Sequence, residues 1–436
     1  MDTFISTWTD IIQYFFPVFT APTAEIFLSL ITGWVLCTAK RTITGILPFA
    51  DPTGQKAHDA YHRFFPDASW AMSELWRLLT LLLVKIFYPA GVIPTDLDDT
   101  LFHRSGRKVN GAGWWRDVVR STGTSIVHAW GLNLVVLTLR INPPWGGEPL
   151  GLPINMRLHR KDGPTIIELA KDMLTEVALW LGERRFLNHS DGFYASVAGQ
   201  EMPNTDIISR MRRDADIYEL LDKKRKKQRG RPRKRGKKLP APQHLAKRIR
   251  NFKLVETCER GKRRRRLVYT RKVIWYKVSQ KPVLLVISRD PDGKEKDDFF
   301  FTTDLSLTAA EVISGFAGRW SIEDTFKNTK QFIGGQEPQT FKGKGPERAA
   351  AVSLWLYSIV WLWYLCQKSK RRYFFVQPWY PGKAAPSFAD ALSCLRRVLW
   401  RDRIKFMFGK RLVHNKKSTV LDKNFEFLIE ALASAA

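Results

Sequence analysis

Apolar positions recur at helical spacing through the first 88 residues. "AEIFLSLITGWVLC" and "SWAMSELWRLLTLLLVKIF" carry them three and four apart, which predicts helices. Pro66-Asp67-Ala68-Ser69 supplies a breaker and caps before the second. The pattern then changes. "VIPTDLDDTLFHRSGRK" and "IVHAWGLNLVVLTLRI" read as strands, "GPTIIELAKDMLTEVALWLG" as an amphipathic helix ending at Gly182, and "RRFLNHSDGFYAS" and "DIISRMR" as further strands. After a basic stretch, "RLVYTRKVIWYKV", "KPVLLVISR" and "DDFFFTTDL" predict strands, with "DPDG" as a turn. Helical spacing resumes in "SLTAAEVISGFAGRWSIEDTFKNTKQ", where Ser306 is a good cap and Thr308 can also serve. Strands, a helix, more strands and then helices indicate an α/β sheet of mixed strands behind an all-helical N-terminal domain.

"AAAVSLWLYSIVWLWYLC", residues 349–366, approaches the length of a membrane span. Its flanks are charged and no second span accompanies it, so it reads as the buried central helix of a large domain and no membrane partner is expected. The N-terminus lacks the basic region and cleavage site of a signal peptide. The four Cys are widely spaced, with neither a zinc pattern nor a disulfide framework, which suits a reducing cytoplasm.

Charge narrows the partner. Lys and Arg total 71 against 42 Asp and Glu, a net charge of +29. The excess gathers in "KKRKKQRGRPRKRGKK" and "RGKRRRRLVYTRK", the footprint of a nucleic-acid binder. Arg229, Arg231, Lys234 and Arg235 fall in the first run. "RGRP" at 229–232 resembles the AT-hook core, and it equally suits a generic basic arm held by phosphate charge. No phosphate-binding loop of the Walker kind is present, so no nucleotide cofactor is expected.

Three carboxylates stand where metal-dependent phosphoryl transfer would need them: Asp98 and Asp191 at strand ends, and Glu323 on the later helix. Mg²⁺ takes oxygen ligands, and two such ions about 3.5–4 Å apart activate the attacking oxygen and stabilise the leaving one. Ordinary turn and cap residues would look the same on composition alone. "FAGRWSIEDTFKNTK" changes the weighting. With Arg319, Glu323 and Lys330 it resembles the Tyr-x2-Arg-x3-Glu-x6-Lys signature of DDE transposases of the hairpin-forming, cut-and-paste insertion-sequence group, with Phe316 at the Tyr position. "DDT" at 98–100 resembles the family's Asp-x-Thr, which favours Asp98 over Asp99 as ligand, and "DGFYAS" resembles its second-Asp strand.

That resemblance implies a ribonuclease-H-like mixed sheet flanked by helices and interrupted by a β-rich insertion. It makes Asp98, Asp191 and Glu323 the ligands of two Mg²⁺ ions, which Mn²⁺ replaces, and sets Arg319 and Lys330 on DNA phosphate near the cut. It implies binding of terminal inverted repeats, cleavage, joining of 3′-hydroxyl ends to target DNA, a homodimer in the DNA complex, and a bacterial cytoplasmic, nucleoid-associated location. A nuclease without strand transfer and a non-catalytic DNA-binding protein are the alternatives. The corresponding division is 1–88 helical and DNA-binding, 89–222 first part of the core, 223–296 basic arm and β-rich insertion, 297–375 second part of the core, and 376–436 a basic C-terminal region. From periodicity, Arg319, Glu323 and Lys330 at i, i+4 and i+11 share one helix face. Trp320 beside Arg319 can stack on an unpaired base, whereas Trp275 alternates with apolar residues and reads as core. His189 reads as a surface residue.

Overall fold

The computed structural model describes residues 7–221, 235–367, 374, 376, 378–408 and 428–433. Five helices come first: α1 (Trp8–Gln13), α2 (Ala21–Leu36), α3 (Ile43–Ala50), α4 (His58–Arg63) and α5 (Met72–Phe87). Strands β1 (Ile93–His103), β2 (Gly113–Arg116), β3 (His128–Ile141) and β4 (Leu150–His159) lead to helix α6 (Ile166–Leu181), then β5 (Phe186–Ser190) and β6 (Thr205–Arg210). Helix α7 (Pro242–Arg248), strands β7 (Lys253–Glu259), β8 (Lys262–Val273), β9 (Val283–Arg289) and β10 (Asp298–Thr302), and helices α8 (Ala309–Gly318), α9 (Ser321–Gln331), α10 (Gly345–Cys366) and α11 (Phe388–Phe408) complete the order. The expected mixed α/β architecture is present. The chain divides into two compact units: residues 1–79, 101–133 and 325–436, and residues 80–100 and 134–324.

The first unit is built on α10. This helix is long and apolar enough to cross a membrane by composition, but 94% of its apolar window is buried inside the protein. Trp355 meets the Phe15 ring edge-on at 4.9 Å and packs on Phe27 at 5.3 Å, while Tyr357 faces Phe388 at 4.5 Å. Arg348, in the first turn of α10, stacks on Trp70 and donates to the carbonyls of Phe65, Ala68 and Trp70. Phe15 after α1, Phe27 of α2 and the loop before α5 thus pack against α10.

The second unit is a sheet. Strands β1, β5 and β6 run parallel, and β6, β10, β9, β8 and β7 follow antiparallel. Strands β7 to β9 therefore extend this same sheet. Strand alternation feeds two cores. Val283, Leu285 and Ile287 of β9 join Trp275 and Phe301 on one face. Leu284 and Val286 join Phe300, Val312 and Ile313 on the other, under α8. Trp275 is core, as its alternation indicates, meeting Phe301 edge-on at 5.3 Å.

Some local expectations are corrected. Thr308, not Ser306, caps α8, because Glu311 three residues on returns the bond in a capping box, while Ser306 is held by Asp304. β4 and β7 lack a clean alternation and are not legible as strands; β4 is buried along most of its length.

Candidate active site

The geometry begins with strand register. Leu97 of β1 lies opposite Ser190 of β5 in a parallel pair, so the next residue on each strand is Asp98 and Asp191. Asp98 sits within β1 rather than at its end, since the strand continues to His103. Asp191 follows β5 directly, and its Oδ1 accepts from the Gly192 amide at 2.5 Å as the cap of a short 3-10 turn. Alternation sends Asp96 and Asp98 to one face of β1 and Asp99 to the other. Asp99 accepts from the Tyr194 hydroxyl at 2.8 Å, whereas Asp98 accepts from Arg319 Nη1 at 2.5 Å.

Arg319 is the hub. Its Nη2 donates to Glu323 Oε1 at 3.2 Å, and its side chain is only 11% exposed. One guanidinium thus joins Asp98 to Glu323. The shared helix face expected for Arg319, Glu323 and Lys330 is corrected: α8 ends at Gly318, Arg319 and Trp320 form a turn, and α9 starts at Ser321. Gly disfavours helix interiors and Ser prefers helix ends, so "AGRWS" breaks where the periodicity alone would continue. Glu323 and Lys330 remain on α9. Lys330 belongs to the first unit, where Phe102 lies 5.8 Å from its ammonium, and burial lowers its pKa to about 8 against the opposing charge of Asp117.

Burial pushes Asp98 up to about 7, opposed by Arg319 and reinforced by the charges of Asp99 and Asp191. Burial also raises Glu323, again opposed by Arg319, and raises Asp99 against its bond from Tyr194. Such crowding of buried carboxylates disfavours their ionised forms and favours a bound cation.

A cleft of 490 Å³ opens beside Asp191, lined among others by Arg210, Arg260, Arg266, Phe316 and Trp320. Arg266 is tied to Glu259 and Glu295, and Arg210 to Asp298. Arg260 instead lies over the Trp320 ring, 3.8 Å from its centroid. It occupies the β7–β8 turn at φ 51°, in the left-handed region, with Gly261 next to it at φ 69°. A non-glycine residue there is uncommon, and this one aims its side chain at the cleft.

Of the residues singled out in the sequence, Asp98, Asp191, Arg319, Trp320 and Glu323 gather in the second unit. Arg235 stacks between Tyr218 at 4.1 Å and Tyr276 at 4.8 Å. Arg229, Arg231 and Lys234 lie outside the described residues. His189 is buried rather than exposed, its Nδ1–H donating to the Thr95 carbonyl at 2.9 Å; burial holds its pKa far below the usual imidazole value. Sequence reasoning missed Asp96, Arg140, Tyr194 and Arg260. The Asp-x-Asp spacing of Asp96 and Asp98 was the one available signal for the first.

Acidic side chains on neighbouring parallel strands, one of them joined by an arginine to a helix glutamate and bordered by a basic cleft, define a mixed α/β protein with a carboxylate-centred site. The chain belongs to the DDE superfamily endonuclease family, whose model matches residues 14–282 and so includes Asp98 and Asp191. Among solved structures, it is similar to the piggyBac transposase in a cryo-EM synaptic complex with hairpin DNA, at 9% identity and a TM-score of 0.38, covering 91% of this chain and 76% of that one. No curated protein matches the sequence.

Proposed function

We propose that this chain is a cut-and-paste DNA transposase of the hairpin-forming insertion-sequence group, acting as a homodimer on the DNA ends of a mobile element in the bacterial cytoplasm. One observation carries the reading: Asp98 and Asp191 are neighbours across a parallel pair, and Arg319 ties Asp98 to Glu323. Among the described residues, no three carboxylate, imidazole or thiol groups converge closely enough to hold a metal ion, and the Arg319 guanidinium pairs with both Asp98 and Glu323. The donor set nevertheless fits a hard cation, since it is all oxygen and the charge of Asp191 opposes ionisation of the buried Asp98. Asp98, Asp191 and Glu323 would hold Mg²⁺ or Mn²⁺. Such an ion supplies a nucleophilic water and neutralises charge on the scissile phosphate.

The chain's own residues do the rest. Arg319 keeps Asp98 and Glu323 facing one site. Arg260 offers a guanidinium to phosphate and Trp320 offers a ring to a base. The test uses purified protein, labelled element ends and Mg²⁺, with products sized on a denaturing gel. Nicks with free 3′-hydroxyls followed by longer joined products are expected, and a chelator abolishes both. Nicks without joining reduce the reading to a nuclease. Binding without cleavage in Mg²⁺ or Mn²⁺ rejects an enzyme altogether.

The basic run contributes binding rather than chemistry. Replacing the Lys and Arg of residues 223–238 by Ser is expected to weaken end binding. It should flatten the slope of log K against log[salt] by about 0.9 for each phosphate no longer neutralised. An unchanged slope, measured by titration at several ionic strengths, removes the run from the DNA interface.

A further inference from the structure

A carboxylate with no exposure needs every lone pair answered. Asp96 is such a group. Arg140 grips it with both ends of its fork: Nη2 on Oδ1, and Nε on Oδ2 at 3.1 Å. Ser321 Oγ donates to Oδ2 at 3.1 Å, and His189 Nδ1 stands 3.5 Å from Oδ1. Ser321 is the first residue of α9, so a buried negative charge is bonded to the positive end of that helix.

The last turn of α8 rests on the same groups. A Cβ built on Gly318 would come within 2.7 Å of Arg140 Nη1 and 2.9 Å of its Cζ. One on Gly315 would come within 2.8 Å of His189 Nε2. Neither neighbour is free to yield. The Arg140 guanidinium is pinned by Asp96, and His189 is buried and bonded to Thr95. Between these two supports and α9 lie only Arg319 and Trp320. The Glu323 amide bonds to the Trp320 carbonyl at 3.0 Å and the Ile322 amide to the Arg319 carbonyl at 3.1 Å, so the turn is tight.

We infer that the Asp96–Arg140 pair, with His189, is a positioning device that sets where α8 stops and α9 starts, and thereby delivers Arg319 to Asp98 and Glu323. None of the three touches the proposed reacting atoms; they act through Arg319. Glycine is required at 315 and 318 because the helix backbone closes directly onto the buried His189 and Arg140 side chains. The activity arm of the test rests on the nuclease reading above; a second arm does not.

The experiment compares Gly318→Ala, Arg319→Ala and the double variant in the full-length chain. Single-turnover cleavage of labelled ends is measured in Mg²⁺ at saturating protein. Gly318→Ala is expected to cut about 100-fold more slowly, the scale on which an ångström of misplacement costs rate, with end binding retained. The double variant should be no slower than Arg319→Ala alone, because both changes remove one arrangement. Losses that multiply in the double variant, or a wild-type rate for Gly318→Ala, overturn the proposal. Should Gly318→Ala not fold, Ser321→Ala, which removes a single hydroxyl from Asp96, takes its place in the same cycle. Hydrogen exchange of the metal-free proteins supplies the independent arm. Amides of residues 319–324 should exchange faster in the variant while those of β9 hold their protection. Unchanged exchange at 319–324 overturns the proposal whether or not the wild type cuts DNA. A wild type that cuts no DNA with any divalent ion rejects only the nuclease reading and leaves the exchange result to decide.

Discussion

Asp191→Asn is expected to reduce cleavage by more than about 100-fold while leaving the fold almost untouched. Substitution of groups that merely support metal ligands already costs about 10–100-fold, and loss of a ligand exceeds that. The choice of Asn separates chemistry from structure. Asp191 caps the 3-10 turn through Gly192, and its carbonyl accepts from Ser209 Oγ at 2.8 Å. Asn caps as well as Asp does, so stability should change by less than about 0.5 kcal/mol. The substitution removes only the negative charge that faces the Asp98 region. Single-turnover cleavage and thermal denaturation of the same preparation decide the matter. Normal cleavage by Asp191→Asn would leave Asp191 as a turn cap and withdraw it from the site.

Asp98→Asn is expected to stabilise the metal-free protein at pH 8, by up to about 4 kcal/mol. Asp98 ionises at about 7 in the folded chain and near 3.8 when free of its surroundings. Between those values the folded chain keeps a proton that the unfolded chain has released. The contribution of Asp98 is therefore full below 3.8, declines as pH rises, and is lost above 7. Each pH unit in that span is worth about 1.4 kcal/mol, which sums to about 4 kcal/mol. The wild type alone does not display this slope, because buried neutral His189 acts with the opposite sign below its unfolded value of 6.5. The difference between wild type and Asp98→Asn isolates the carboxylate. Denaturant unfolding with a chelator present should show the variant more stable at about pH 8 and the two equal near pH 4. Saturating Mg²⁺ should reverse the order at the higher pH, since an ion that binds the native carboxylates stabilises them by mass action. A pH-independent difference would mean that Asp98 is not held in the buried, crowded setting described.

Both effects have one origin: the site keeps carboxylates together at a cost in stability, with Arg319 as partial compensation. Part of that is legible in the chain alone. Alternating and helical hydrophobic patterns place α2 and α5 of the five N-terminal helices, most of the strands and helix α6, because amphipathic periodicity is a local property of the chain. The charged flanks of the α10 run mark it as a core helix, and it is buried. Alternation alone marks Trp275 as core. Motif spacing singles out Asp98, Asp191, Glu323 and Arg319, and the fold bonds Asp98 and Glu323 to the Arg319 guanidinium with the charge of Asp191 nearby.

What local pattern could not supply is partnership across the sheet. Nothing in the stretch around Arg140 marks it as the counter-ion of Asp96, 44 residues away in sequence, because a buried ion pair is chosen by which strands become neighbours. His189 looks like a surface residue beside a loop Asp, and it is buried because β5 lies between β1 and β6. The break at Arg319–Trp320 is hidden from periodicity and hinted at only by Gly318 and Ser321. Periodicity through "FAGRWSIEDTFK" allows one continuous helix. The guanidinium of Arg140 and the ring of His189 leave no room for a side chain at Gly318 and Gly315, a constraint that exists only in the folded sheet. Hydrophobic period and residue type were thus enough for most of the elements and for three of the site's carboxylates, Asp98, Asp191 and Glu323. Which charges meet was settled by strand pairing, since burial and a low dielectric, and hence the ionisation of Asp98, exist only after the strands have come together.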